Sequence, residues 1–232
     1  MSPPPNRHPV DIARVLRDAR VGDLRTLNEE RAPYDALTAT TRKLFQDLAE
    51  RGIDYMLVGG MAVLHYVGGR NTRDIDLIIA LADLQTLPGL TILSHDGDFA
   101  RADYDGVQVD ALLVTNPLFR RVKAEFASRL VYGELEIPTA TQEGLVILKL
   151  FALPSLYRQG DVARIGVFEN DIFGLLSTGG VDIDRVFATL EQNVLESDVT
   201  ELQRITADIQ HRLARVRDQP FADGESGSRA LS

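Results

Sequence analysis

Two aspartates one residue apart, Asp74 and Asp76, follow the glycine pair Gly59-Gly60 after thirteen intervening residues, and a third, Asp110, stands in the later apolar run Val107-Gln-Val-Asp-Ala-Leu-Leu. Strand side chains alternate, so Asp74 and Asp76 share one face while Ile75 between them turns to the core. Neighbouring carboxylates repel unless a cation lies between them, and an oxygen-only donor set suits Mg²⁺ or Mn²⁺ better than zinc. If the strand carrying Asp110 pairs alongside, that residue completes a site for two metals about 4 Å apart, one on a triphosphate and one on the attacking group. The glycine pair fits the same task. Neither residue has a Cβ to keep a ligand from the backbone, and a helix beginning there offers unpaired N–H groups and its positive end to phosphate.

The elements needed to position these residues are legible as hydrophobic periodicity. Helices are expected over 10–27 and 40–51, a short buried strand over 55–58, a brief helix over 61–67 and a strand over 74–79. A weaker strand over 90–93 precedes two more, 99–104 and 107–114, which flank Asp105-Gly106, a strong two-residue hairpin signal. Pro117 opens a helix to about Ser128, as suits proline in a first helical turn. After Pro138 the pattern reads as helical throughout: 141–153 stopped by Pro154, 162–176, 184–195 and 198–217, the last capped by Asp198 with Glu201. The expected chain is therefore α+β. An α/β domain over 1–137 includes the N-terminal helices, a helical domain covers 138–220, and a flexible tail covers 221–232.

Composition sets the limits. The chain has 232 residues, a formal charge of −9 and no cysteine. Zero cysteine excludes a disulfide framework, a thiolate zinc site and a catalytic thiol, and fits a reducing cytoplasm. No apolar run approaches the ~20 residues of a membrane span, and the opening Met-Ser-Pro-Pro-Pro-Asn-Arg-His-Pro lacks a signal-peptide core. An acidic chain opposes broad nucleic-acid contact, so such contact would need a local patch. Arg120, Arg121, Lys123 and Arg129, opposed only by Glu125, form the best candidate.

The stretch Gly59-Gly-Met-Ala-Val-Leu-His-Tyr-Val-Gly-Gly-Arg-Asn-Thr-Arg-Asp-Ile-Asp-Leu, with a lone aspartate on a later strand and a helical second half, resembles the DNA-polymerase-β-type nucleotidyltransferases. It looks most like the minimal members that include abortive-infection and toxin–antitoxin toxins. The resemblance spans roughly residues 40–180 and implies a mixed sheet with flanking helices, followed by a helical domain. It also implies Mg²⁺-dependent (or Mn²⁺-dependent) transfer of a nucleoside monophosphate from an NTP co-substrate to an acceptor hydroxyl. Asp74, Asp76 and Asp110 would be the catalytic metal ligands, and Gly59, Gly60 and Arg73 would lie at the triphosphate. Lys149 and Arg158 match basic positions of the second half, and Asp171 a recurrent acidic one. The implied acceptor is a tRNA end or a protein hydroxyl, with a cognate antitoxin as partner. A small molecule of the aminoglycoside kind is the rival acceptor. A catalytically silent binding or antitoxin-like module is the rival of another class, and monomer and dimer both stay open. Met61 departs from the Ser or Thr often found after the second glycine.

Other residues read more plainly. Lys149, taken alone, is a snorkelling lysine at a core edge. His65 is a packed helix residue, Arg70 and Arg73 neutralise the neighbouring aspartates, and Asp103 and Asp105 belong to the hairpin tip. The apolar seam of the last helix is intramolecular packing. A metal-dependent hydrolase lacks any supporting His–Asp pairing.

Overall fold

The computed structural model describes residues 31–68, 72 and 74–218. The arm over 1–9, the helix over 10–27, Arg70, Arg73 and the tail from Phe221 lie outside the described residues.

The chain begins with α1 (Arg31–Glu50), whose Leu44, Phe45 and Leu48 are buried at helical spacing. Next come β1 (Met56–Val58), α2 (Gly59–Tyr66), β2 (Ile75–Ile79) and a single turn, α3 (Leu81–Leu84). β3 (Leu90–His95), β4 (Phe99–Tyr104) and β5 (Val107–Leu113) then form a meander. Its tight turn has Asp105 at φ 50° and Gly106 at φ 84°, the pair of left-handed residues that a twisted two-residue hairpin requires. α4 (Pro117–Glu125) is capped by Asn116, whose side chain accepts from the N–H groups of Leu118 and Phe119.

The chain then departs from expectation. Instead of continuing as helix and loop to Pro138, it forms a hairpin of β6 (Ala127–Tyr132) and β7 (Leu135–Ala140). Buried Leu130 and Tyr132 face the core from one strand, and Ile137 and Thr139 from the other. Gly133 at φ 62° makes the turn. Pro138 sits in β7 opposite Arg129, so helix begins only at Gln142.

The seven strands lie in the order β3-β4-β5-β2-β1-β7-β6. β2 runs parallel to β5 and antiparallel to β1, so the sheet is mixed. Four helices follow: α5 (Gln142–Gln159), α6 (Val162–Ser177), α7 (Ile183–Leu190) and α8 (Glu196–Asp218). Pro154 does not stop α5, which runs five residues further to Gly160 in the left-handed conformation. Burial of Leu150, Leu153 and Leu156 along this helix offsets the hydrogen bond that the proline removes. α8 starts two residues before Asp198, which lies within its first turn and pairs with Arg158 instead of capping. The seam of α8 packs inward through Val199, Leu202, Ile205, Ile209 and Leu213, leaving Val216 exposed. One apolar core runs continuously from the sheet into these helices. Among the described residues, no helix is long and apolar enough to cross a membrane.

Candidate active site

Register places the aspartates. Asp76 on β2 is directly opposite Asp110 on β5 in the parallel pairing, and Asp110 is directly opposite Arg101 on β4 in the antiparallel one. Residues paired in this way project from the same face of a sheet. Arg101, Asp110 and Asp76 therefore form a line across three adjacent strands. Asp74, exposed, lies just before β2 and two residues from Asp76.

The glycines close over this line. β1 ends at Val58, which is paired with Asp76, and the chain turns at once into α2. Gly59 has φ +62°, and a Cβ there would stand 1.9 Å from Asp76 Oδ2. Its lack of a side chain is thus demanded twice, by conformation and by space. The Gly60 N–H donates to Asp76 Oδ2 at 3.3 Å. Val58 supplies no side-chain cap to α2; the Asp76 carboxylate instead receives one of its opening N–H groups, that of Gly60. Met61, where a hydroxyl was the family expectation, is buried in the core.

The electrostatics follow from this packing. Asp76 is pushed up to about 6, chiefly by burial; Lys149 and the Gly60 N–H pull it down, while Asp110 and Asp74 push it up. Lys149, on α5, is almost wholly buried and pairs with Asp171 of α6 at 2.8 Å. Its ammonium also lies 4.1 Å from the centre of the Phe168 ring. The helical half thus supplies one cation that acts on Asp76 and fixes it with a carboxylate.

Asp110 is held from both sides. Arg101 Nε donates to its Oδ1 at 2.9 Å, and Gln108 Nε2 donates to its Oδ2 at 2.8 Å. Among the described residues, no three His, Asp or Glu side chains are grouped closely enough to hold a metal ion; both Asp110 oxygens are turned to these donors. The donor set nevertheless fits a hard divalent cation. It is all oxygen, and its two central carboxylates are strand neighbours.

Of the residues expected from sequence, Gly59, Gly60, Asp74, Asp76, Asp110 and Lys149 meet here, whereas Arg73 lies outside the described residues. Arg158 is nine residues beyond Lys149 on α5, about 13 Å along the axis, and pairs with Asp198 at 3.2 Å. Asp103 and Asp105 serve the hairpin tip, accepting from the Gly106 N–H and pairing with Lys43. His65 packs edge-on against Tyr66, and burial lowers its pKa. The basic run is largely spent internally: Arg121 on Glu125 and Gln192, Lys123 on Asp54, Arg129 on Glu136. Arg101 and Gln108 escaped the sequence reading. A two-residue turn at Asp105-Gly106 sets the register that puts Arg101 opposite Asp110, and strand alternation puts Gln108 beside it.

No family model matches the chain, and no curated protein matches it in sequence. Among solved structures, it is similar to the solution structure of antibiotic-resistance factor ANT(2'')-Ia, with TM-score 0.48 and 13% identity over 79% of this chain and 96% of that one. It is also similar to the crystal structure of ANT(2'')-Ia in complex with adenylyl-2''-tobramycin, with TM-score 0.42 and 11% identity over 76% and 98%. An antigenic nucleotidyltransferase-like protein from Paracoccidioides brasiliensis matches with TM-score 0.52 and 17% identity over 79% of this chain and 91% of that one. That last likeness shows the fold: this chain has a nucleotidyltransferase-like mixed sheet with flanking helices, followed by a helical C-terminal region.

Proposed function

We propose that the protein is a nucleotidyltransferase that moves a nucleoside monophosphate from an NTP to an acceptor hydroxyl, releasing pyrophosphate. The observation that carries this reading is the pairing of Asp76 with Asp110 on neighbouring strands, beneath a glycine turn that leaves no room for a side chain. Asp74, Asp76 and Asp110 would hold Mg²⁺, or Mn²⁺ in its place. Bound there, the metal would supply Lewis-acid polarisation of the α-phosphate and charge neutralisation on the triphosphate. The N–H groups opening α2 bind and orient the triphosphate. Asp110 would take the proton of the acceptor hydroxyl as it attacks in line. Lys149 sets the charge behind Asp76, and Asp171 holds that ammonium in place. On this reading, residues 1–137 supply the carboxylates and 138–220 the supporting cation.

The sequence resemblance supports a toxin acting in the cytoplasm on a tRNA end or a protein hydroxyl, restrained by an antitoxin. A second acceptor class is favoured by charge. With three cations of the basic run engaged internally and the chain at −9, a small polycation of the aminoglycoside kind meets a more favourable field than RNA does.

Label transfer tests both readings. Wild-type protein and Asp76→Ala are incubated with Mg²⁺ and each α-labelled NTP, with cell extract or with an aminoglycoside panel. Labelled product from wild type alone supports the proposal, and its sensitivity to RNase or protease, or its appearance with an aminoglycoside, names the acceptor. Equal labelling by Asp76→Ala refutes it.

A further inference from the structure

We infer that Arg101 is a latch on Asp110, holding this carboxylate out of the metal site until a nucleotide-borne cation displaces the guanidinium. The inference rests on the nucleotidyl-transfer reading of the site and adds a residue and a form of control to it. Each Asp110 oxygen accepts one hydrogen bond, Oδ1 from Arg101 Nε at 2.9 Å and Oδ2 from Gln108 Nε2 at 2.8 Å. Each oxygen keeps a second lone pair, so what opposes a cation here is the positive charge of the guanidinium seated on the carboxylate. The two donors differ in what they do to a cation. Gln108 is neutral, and its amide can follow the carboxylate as it turns. Arg101 carries a full charge directly across the strand pair from Asp110, and Asp74 as well as Asp110 holds that charge in place.

Arg101 is also free to leave. Its side chain is 49% exposed, against 28% for Asp110, and its exposure places it at the solvent side of the line. Lys149, by contrast, is locked into a buried pair with Asp171. A guanidinium released beside a bound triphosphate has an obvious new partner, since its planar fork suits phosphate oxygens as well as carboxylate ones. Arg101 would therefore exchange one anion for another as the metal–nucleotide complex arrives, and metal alone would compete poorly. The chain would hold Asp110 back from stray divalent ions and release it when nucleotide is present.

The test is Mn²⁺ binding without nucleotide, read from the free-ion paramagnetic resonance signal, on wild type and on Arg101→Gln. Loss of the guanidinium should tighten Mn²⁺ binding about tenfold, the combined worth of one charge-assisted hydrogen bond and of relieved cation–cation repulsion. In an Asp110→Asn background, the same Arg101→Gln change should give a much smaller gain. With ATP present, wild-type Mn²⁺ affinity should rise toward that of Arg101→Gln. Unchanged or weaker Mn²⁺ binding by a folded Arg101→Gln overturns the latch, as does an equal gain with and without Asp110. If wild type binds no Mn²⁺ even with ATP, the metal-site reading falls and the latch falls with it. Those outcomes are distinct from one in which wild type binds Mn²⁺ with ATP but Arg101→Gln shows no gain.

Discussion

Replacing Asp76 by Asn should stabilise the metal-free protein while destroying its chemistry. Asp76 carries a pKa raised to about 6, chiefly by burial, from an ordinary value near 3.8. A carboxyl whose folded pKa lies above its unfolded one binds a proton more tightly when folded, so ionising it costs folding stability. That cost is absent below about pH 4, grows as pH rises towards 6 and is complete above it. Two pKa units correspond to about 2.7 kcal/mol, or about 2 kcal/mol once the partial exposure of the side chain is allowed for. Asn keeps an oxygen to accept the Gly60 N–H, so the change is close to isosteric. In EDTA at pH 7.5, Asp76→Asn should therefore melt about 4–8 °C above wild type. The two curves should converge near pH 4. Differential scanning calorimetry across pH is the assay. A wild type more stable than the variant at pH 7.5, or a difference that does not change with pH, would refute the electrostatic account of the site.

Gly59→Ala must place a Cβ against the Asp76 carboxylate and a non-glycine residue at φ +62°. We expect a loss of about 2–4 kcal/mol in urea unfolding and loss of Mg²⁺-dependent NTP binding by calorimetry; near-wild-type values for both would contradict the described turn. Lys149→Met removes the ammonium from a buried ion pair with Asp171 and should cost about 3–5 kcal/mol. Adding Asp171→Leu should restore most of that stability without restoring NTP binding. If stability and binding return together, Lys149 has only a packing role.

The strands that carry Asp76 and Asp110 are legible in the sequence. The apolar run after Asp74 marked the strand that carries Asp76, although Asp74 itself lies just outside it, and the Asp105-Gly106 turn set the hairpin that carries Asp110. The β6–β7 hairpin was not readable, for two reasons. The helical pattern of α4 runs on through Phe126 when followed by periodicity alone, and Pro138 argues against a strand unless the partner register is known. Pro154 misled in the opposite direction, because its local cost is overridden by apolar contacts that only the folded core supplies. Lys149 shows what spacing omits altogether. Its apolar neighbours mark a buried helix, but its partner Asp171 lies one helix later, and that pairing arises only when α5 packs on α6.

The central claim concerns which phosphorus is attacked, and it is tested most directly by supplying NTP labelled either at the α- or at the γ-phosphate. The account predicts α-label in the acceptor and γ-label in pyrophosphate, with both products absent for Asp110→Asn. γ-Label in the acceptor, or free phosphate released without pyrophosphate, would contradict it and identify a phosphotransferase or a hydrolase.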